Sequence, residues 1–371
     1  MPGQSGWSRG WDTTGLDGAV VAMVQSESEA SPRTVLVTGA TGLLGSHVAE
    51  RLVARGAAVR ALVRQGSRTE FLDSLGVEVV RGDLTNPRDC DAATAGVAQL
   101  YHCAAKVGDW GTWPEFQRGC MDATRTLAEA AGRAGVERFL HISSTSAYGH
   151  PADRERPVDE TEPLGQNIWF MDYYTRSKVD CERILWDLAD RSGLPLTIIR
   201  PSWLFGERDR TTIPRFLREF GRRRVLVLGK GDNPLSAVYA GVVAEAAILA
   251  AHDPGSRGEA YNITNQGPIT QREFLDLIAD ALQVPRVRRH IPYRVAYGGG
   301  FLMEMQGRLL RQQRPPRVTR YGAWLLGRYL AYSTEKARAR LGWQPSIGYR
   351  ESIERTIRWF REPSADPVGR T

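Results

Sequence analysis

A chain of 371 residues, 42% of them apolar, can build a sizeable core and more than one subdomain, which excludes a disordered polymer. A net charge of +7 would ordinarily argue for nucleic acid, but only four of the 49 basic residues are lysines (Lys106, Lys178, Lys230 and Lys336), and so uniform an arginine excess marks codon bias, not a selected patch. Four cysteines (Cys90, Cys103, Cys120 and Cys181) without a CxxC pair or zinc-type spacing point to a reducing cytoplasm and to no metal site.

In chain order, residues 1–32 read as a flexible N-terminal extension, and "AVVAMV" (19–24) is too short for a signal-peptide core or a membrane span. From Thr34 short β-branched runs alternate with amphipathic stretches. "TVLVTG" is a buried strand, and "LLGSHVAERLVARG" is the helix after it, stopping at Gly56. Strands are expected at 58–64, 77–84, 99–105, 138–144 and 196–201, with a helix start at Asn86-Pro87 and an alanine-rich helical stretch around 115–134. This predicts a doubly wound parallel α/β sheet of Rossmann type over 33–201. Beyond Pro201 the regularity weakens. The capping box "TQRE" (270–273) opens one helix, and others are expected at 241–252, 293–313 and 349–361, so 202–371 reads as mainly a smaller α/β substrate lobe.

"TGATGLLG" (38–45) joins the first strand to the first helix, the context that a dinucleotide-binding turn requires. Gly39 would allow the tight turn, Gly42 the approach of backbone N–H groups to a pyrophosphate, and Gly45 close helix–strand packing, with Thr41, Leu43 and Leu44 completing the cradle. The second strand ends at Arg64, with Arg68 following and no acid between them, which favours NADP(H) over NAD(H). Asp83, followed by Leu84, is placed for the adenine, and Ala104-Ala105 for the ribose.

"YYTRSK" (173–178) lies where a catalytic helix of about 170–192 is expected. Residues four apart share a helix face, so Tyr174 and Lys178 go together while Tyr173 points away as a packing residue. A phenol beside an ammonium gives up its proton more readily, and lysine's compact charge suits that task and ribose hydroxyls better than an arginine fork. A hydroxyl should complete the set at the carboxyl end of a neighbouring strand. "HISSTSAYG" (141–149) offers Ser143 on one face and Ser144 with Ser146 on the other, and alternation alone leaves both faces open.

Together, the glycine loop, "SSTSAYG", "YTRSK" and "RPSWLFG" resemble the extended short-chain dehydrogenase/reductase family, also called the NAD-dependent epimerase/dehydratase family, over about 33–362. The resemblance implies that Ser144 holds the reacting oxygen, Tyr174 transfers its proton, Lys178 binds ribose and tunes Tyr174, and Pro201 contacts the nicotinamide carboxamide. Cys120 stands where the family carries a supporting asparagine. Thr145-Ser146 replace the acidic pair of the sugar dehydratases, which argues against dehydration.

"AAKVGDWGTWPEF", "IPYRVAYGGGFLMEM" and the arginine-rich stretch 314–345 resemble the 3β-hydroxysteroid dehydrogenase-like branch. That implies interconversion of a secondary alcohol and a ketone on a lipophilic substrate, steroid-like or resembling a long-chain 3-oxoacid. Trp110, Trp113, Trp169 and Trp203, with Phe170 and Phe205, are the expected apolar lining beside Ser144. A nucleotide-sugar epimerase with tightly bound NAD is the alternative, and a non-catalytic nucleotide-sensing or assembly protein a third reading. Arg308, Arg311, Arg314, Arg317 and Arg320 beside the stretch 293–310 are read as a surface for peripheral membrane contact. A homodimer is the other partner reading; nucleic acid is not expected.

Overall fold

The computed structural model describes residues 33–153 and 156–362; the expected extension 1–32 lies outside them. Strand β1 (Thr34–Thr38) leads through helix α1 (Leu43–Ala54) to β2 (Ala58–Val63), and α2 (Glu70–Ser74) leads to β3 (Glu78–Arg81). Next come α3 (Pro87–Thr94), β4 (Val97–His102) and a composite helix: α4 (Trp113–Phe116), a π turn (Gln117–Asp122) and α5 (Ala123–Ala134). β5 (Arg138–Ile142) follows, then a 3₁₀ turn (Thr145–Tyr148), α6 (Tyr173–Ser192) and β6 (Leu196–Pro201). The second half comprises β7 (Trp203–Phe205), α7 (Thr212–Gly221), β8 (Val227–Leu228), β9 (Ala237–Tyr239), α8 (Ala240–His252) and β10 (Glu259–Ile263). It continues with α9 (Gln271–Leu282), β11 (His290–Ile291), α10 (Tyr293–Leu309), α11 (Arg320–Gly327), α12 (Glu335–Leu341) and α13 (Tyr349–Arg361).

Seven strands form one sheet in the order β10-β6-β5-β4-β1-β2-β3, every pair parallel. Alternate residues face opposite ways. Val35, Val37, Tyr101, Leu140 and Ile199 enter one core, and Leu36, Leu100, Phe139 and Ile198 the other. Both faces are thus covered, as an all-parallel sheet requires. Helix α8 ("AGVVAEAAILAAH") is apolar all round and accordingly buried, in the same core as α1. The strand order reverses between β1 and β4, and the carboxyl ends of these strands open the crevice where ligands bind in such sheets.

The sheet reaches past Pro201, since β10 is its edge strand, and the described residues from Thr34 onward form one compact unit. The capping box at Thr270 and Glu273 is present as expected. One helix differs from expectation. The pattern predicts 293–313, but α10 ends at Leu309: Arg311 adopts a left-handed φ of 49°, and the Gln312 N–H donates to Gly307 O at 2.8 Å. That closure satisfies the orphan carbonyls of the last turn, with arginine where glycine is usual. No helix among the described residues is long and apolar enough to cross a membrane.

Candidate active site

The glycine loop is built as a cradle. Gly39 has φ +68°, and a Cβ there would lie 2.7 Å from the Ala104 backbone nitrogen; a Cβ on Gly45 would lie 2.2 Å from Gly39 O. These contacts require glycine. Gly42 caps α1 in extended conformation, with no side-chain cap and no acid in the first turn, so the helix offers its N-terminal N–H groups and positive dipole end to an anion. The loop therefore fits a dinucleotide pyrophosphate. Arg64 and Arg68 are exposed after β2, and Arg81 fastens their loop by donating to Gln65 O at 2.8 Å and Ser67 O at 3.3 Å. Asp83 is already engaged: it accepts from the Thr85 N–H (2.9 Å), the Thr85 hydroxyl (2.8 Å) and Arg118 (3.2 Å), and these bonds, the Thr85 N–H foremost, pull its carboxyl below the usual range. Leu84, Ala104 and Ala105 line the same edge half-buried, and Pro201, buried, ends β6.

Helix α6 begins at Tyr173 because Asp172 caps it, accepting from the Thr175 N–H at 3.0 Å. Lys178 is buried one turn beyond Tyr174, and its ammonium donates to Ile142 O at 3.3 Å. The strand end on which Lys178 rests is the one that presents the serines. His102 and His141 lie nearby and are held neutral, first by burial and then by charge, from Lys178 at His102 and from His102 and Lys178 at His141; for His102 the value falls to about 3. His102 bonds Thr38 (2.8 Å) and Thr124 (3.0 Å), whereas among the described residues His141 has no hydrogen-bond partner for either ring nitrogen.

The serine ambiguity resolves by partner. Ser143 donates to Glu182, which is clamped by Arg200 (2.7 Å), and Arg200 also donates to the Tyr148 hydroxyl at 2.9 Å. Ser143 belongs to a buried, fully paired network that ties α6 to β6. Ser144 faces the other way: its Oγ donates to Ser146 Oγ at 3.1 Å and accepts the Ser146 N–H at 3.1 Å. Ser146 Oγ in turn bonds the Tyr321 hydroxyl at 2.8 Å, and the Tyr321 ring meets Tyr174 edge-to-face at 6.0 Å. Burial raises Tyr321 well above the ordinary phenol value, so it stays protonated. Local pattern gives no sign of Tyr321, since it arrives from α11, more than 140 residues downstream.

The loop before α6 is strained and pinned. Asn167 (φ 48°) and Met171 (φ 64°) are left-handed. Arg308 donates to Met171 O (3.1 Å), Arg320 to Phe170 O (3.2 Å), and buried His150 bonds Asp172 at 2.6 Å while stacking on Trp169 at 3.5 Å between ring centroids. Asp172 could have been found as an N-cap; its histidine partner could not.

The aromatic lining divides. Trp110 donates to Gln312 O (2.9 Å) beneath Arg308, Trp113 packs on Tyr173 (5.8 Å), and Trp169 contacts Tyr297 and Trp324. These three surround the start of α6. Trp203 instead packs with Phe216 and Phe274, Phe205 is core, and Phe170 is exposed. Cys120 sits in the π turn, its thiol donating weakly to Lys106 O at 3.7 Å in an apolar cluster that Tyr173 and Tyr174 flank. The arginine row divides as well. Arg320 pairs with buried Glu304 (2.7 Å), Arg317 with Glu219 (2.7 Å), and Arg308 stacks over Trp110 and Tyr173; these three are spent within the molecule.

A hydroxyl pair at a strand end, a tyrosine one turn from a buried lysine, and a glycine cradle are the set that a short-chain dehydrogenase/reductase is expected to carry. The profile of the NAD dependent epimerase/dehydratase family matches residues 35–264, and the chain belongs to that family. It is 31% identical over 339 residues to the sterol-4-alpha-carboxylate 3-dehydrogenase (decarboxylating) of Mus musculus, covering 89% of this chain and 91% of that one. It is 32% identical over 329 residues to the 2-alkyl-3-oxoalkanoate reductase of Stenotrophomonas maltophilia, covering 86% and 97%. The UDP-glucuronic acid 4-epimerase from Bacillus cereus, solved with NAD, shares the fold with a TM-score of 0.69 at 18% identity, over 88% of this chain and 98% of that one. Within the family the chain is of the 3β-hydroxysteroid dehydrogenase-like kind, an NAD(P)-dependent oxidoreductase of CH–OH groups.

Proposed function

We propose that the protein interconverts a secondary alcohol and a ketone on a lipophilic substrate, steroid-like or resembling a long-chain 3-oxoacid, with NADP(H) preferred. The observation that carries this reading is Tyr174 one helical turn from buried Lys178, linked through Tyr321 and Ser146 to the Ser144 hydroxyl just past the carboxyl end of β5. When bound, the nicotinamide cofactor supplies or accepts hydride at the carbonyl carbon. Ser144 Oγ, kept in place by the Ser146 N–H that it accepts, would turn its one O–H from Ser146 Oγ to the substrate oxygen and orient it. Tyr174 gives that oxygen its proton in reduction and removes it in oxidation. The Lys178 ammonium, with one bond to Ile142 O, keeps two N–H donors for ribose hydroxyls and stabilises the phenolate. Tyr321, at the end of the serine chain, holds Ser146 and through it the Ser144 rotamer.

Gly39, Thr41, Gly42, Leu43, Leu44 and Gly45 would cradle the pyrophosphate, Asp83 and Leu84 border the adenine, and Ala104, Ala105 and Pro201 border the ribose and nicotinamide. Arg64 and Arg68, with no acid from 64 to 69, favour a 2′-phosphate. Trp110, Trp113 and Trp169 give the substrate apolar walls; Trp203 packs with other rings and is the weakest member of that set. The mouse and Stenotrophomonas relatives are named for a sterol carboxylate and an alkyl oxoalkanoate, which supports the lipophilic class.

The test is cofactor consumption by the purified full chain, followed with NADPH and with NADH against a panel of lipophilic ketones and 3-oxoacids. NADPH consumption with at least one lipophilic ketone is expected. Silence across the panel, with redox-neutral turnover of a nucleotide sugar, would establish the epimerase reading instead.

A further inference from the structure

Arg308 is turned inward like Arg317 and Arg320, but it lacks the acid that each of those has. Arg320 pairs with Glu304 and Arg317 with Glu219, both at 2.7 Å. Among the described residues the Arg308 side chain makes one hydrogen bond, from Nη2 to Met171 O at 3.1 Å, and its buried Nε–H has no partner. The Trp110 and Tyr173 rings lie 4.9 and 5.5 Å from the guanidinium carbon. Rings engage a cation through their faces and accept none of its in-plane N–H groups. A buried guanidinium N–H without an acceptor costs free energy, so codon bias alone does not account for an arginine kept here.

The acids nearby are engaged elsewhere. Glu304, one turn earlier on α10, accepts from the Arg320 backbone (2.6 Å) and side chain (2.7 Å). Asp172 accepts from the Thr175 N–H (3.0 Å) and bonds His150 (2.6 Å). Asp109, next to Trp110, bonds the Thr319 side chain, and burial raises its carboxyl above the usual range, which weakens its negative charge.

Arg308 also stands at the substrate end of the site. It holds the carbonyl three residues before Tyr174, and Tyr173 beneath it is the neighbour of that tyrosine. Trp110 belongs to the loop that leaves the carboxyl end of β4. The end of α10 is fastened to that loop: a Cβ on Gly307 would lie 3.1 Å from Trp110, whose indole donates to Gln312 O at 2.9 Å. The fit fixes Arg308 in place before any ligand arrives. The dinucleotide phosphates would be taken by the N-terminus of α1, so an anion at Arg308 must come from the substrate.

We propose that Arg308 anchors a carboxylate carried by the substrate close to its reacting carbonyl. Its free N–H groups would accept that carboxylate in charge-assisted hydrogen bonds among rings that exclude water. This rests on the function proposed above, and within it selects the 3-oxoacid over an uncharged steroid.

The experiment is calorimetric titration of the full chain, loaded with reduced nicotinamide cofactor, with 3-hydroxyoctanoate and with its methyl ester, two alcohols that the loaded chain cannot reduce. The acid should bind at least about tenfold more tightly than the ester, Arg308→Gln should abolish that preference, and Arg308→Lys, which keeps the charge, should retain part of it. If Arg308 only supported Met171, the glutamine variant would weaken both ligands alike and the preference would survive, which overturns the proposal. Equal binding of acid and ester by the unsubstituted chain also overturns it, and that result needs no variant to fold. Cofactor consumption with 3-oxooctanoate and its methyl ester judges the function separately. Acid preference in binding without turnover of either ketone would leave the anchor and remove the oxidoreductase reading. Turnover without acid preference would remove the anchor and leave that reading.

Discussion

In the parallel sheet, apolar side chains fill two cores and the chemistry-bearing residues stand at strand ends. In α10 and the segment around it, small residues are inside, leucines are outside, and the buried charges are paired across elements. The difference teaches that the first region obeys periodicity, because each strand's two faces meet two separate cores. The second is organised by close approach and by pairs far apart in sequence. The proposed active site joins the two: Ser144, Tyr174 and Lys178 come from the first, while Tyr321, Arg308 and Arg320 brace them and the loop before α6 from the second.

The comparison is broken most severely at Glu304. Its carboxylate accepts from both the Arg320 N–H and the Arg320 side chain, so Glu304→Ala leaves a buried guanidinium without its counter-charge, at a cost of about 3–5 kcal/mol. Urea unfolding would measure that loss. If the second region truly depends on this pair, Leu302→Ala on the outer stripe of the same helix should cost almost nothing.

An acid titration probes the first region. His102 and His141 are neutral in the fold because burial holds their values below the ordinary one, so the unfolded chain binds more protons between the two. Their contribution is fully present above about pH 6.5 and is lost as pH falls, by about 1.4 kcal/mol per pH unit for each histidine. The urea midpoint should thus fall between pH 7 and pH 5.5. His141→Phe should flatten the slope; an unchanged slope would mean that His141 is not held neutral.

The mildest prediction concerns the bridge between the regions. Tyr321→Phe removes one hydrogen bond, to Ser146, and should change stability by only about 1 kcal/mol. With Ser144 less well oriented, kcat should fall about tenfold, a change of about 1.4 kcal/mol in the barrier, with KM nearly constant. A change confined to KM would make Tyr321 part of the substrate wall instead of a positioning residue.

What was legible in the sequence follows the same division. The strands and the glycine turn could be read because β-branched runs and the Gly39, Gly42 and Gly45 spacing report local geometry. The pairing of Tyr174 with Lys178 could be read because helix pitch is fixed. Alternation alone could not choose between Ser143 and Ser144, which the family resemblance did, since their different partners, Glu182 and the Ser146–Tyr321 pair, come from elsewhere in the fold. That Glu304 and Glu219 pair with two members of the arginine row could not be read, since they are distant in sequence, and the end of α10 was missed because a left-handed arginine, not a glycine, closes it.

Tyr173→Phe and Tyr174→Phe, assayed side by side, test the central claim most directly. The two tyrosines are adjacent, yet Tyr173 packs on Trp113 under Arg308 while Tyr174 stands by Tyr321, one turn from Lys178. The expected result is that Tyr174→Phe lowers kcat with NADPH and a lipophilic ketone by about 10²–10⁴-fold, with cofactor affinity kept, while Tyr173→Phe retains most of the activity. Equal activity of the two variants, or a greater loss from Tyr173→Phe, would contradict it.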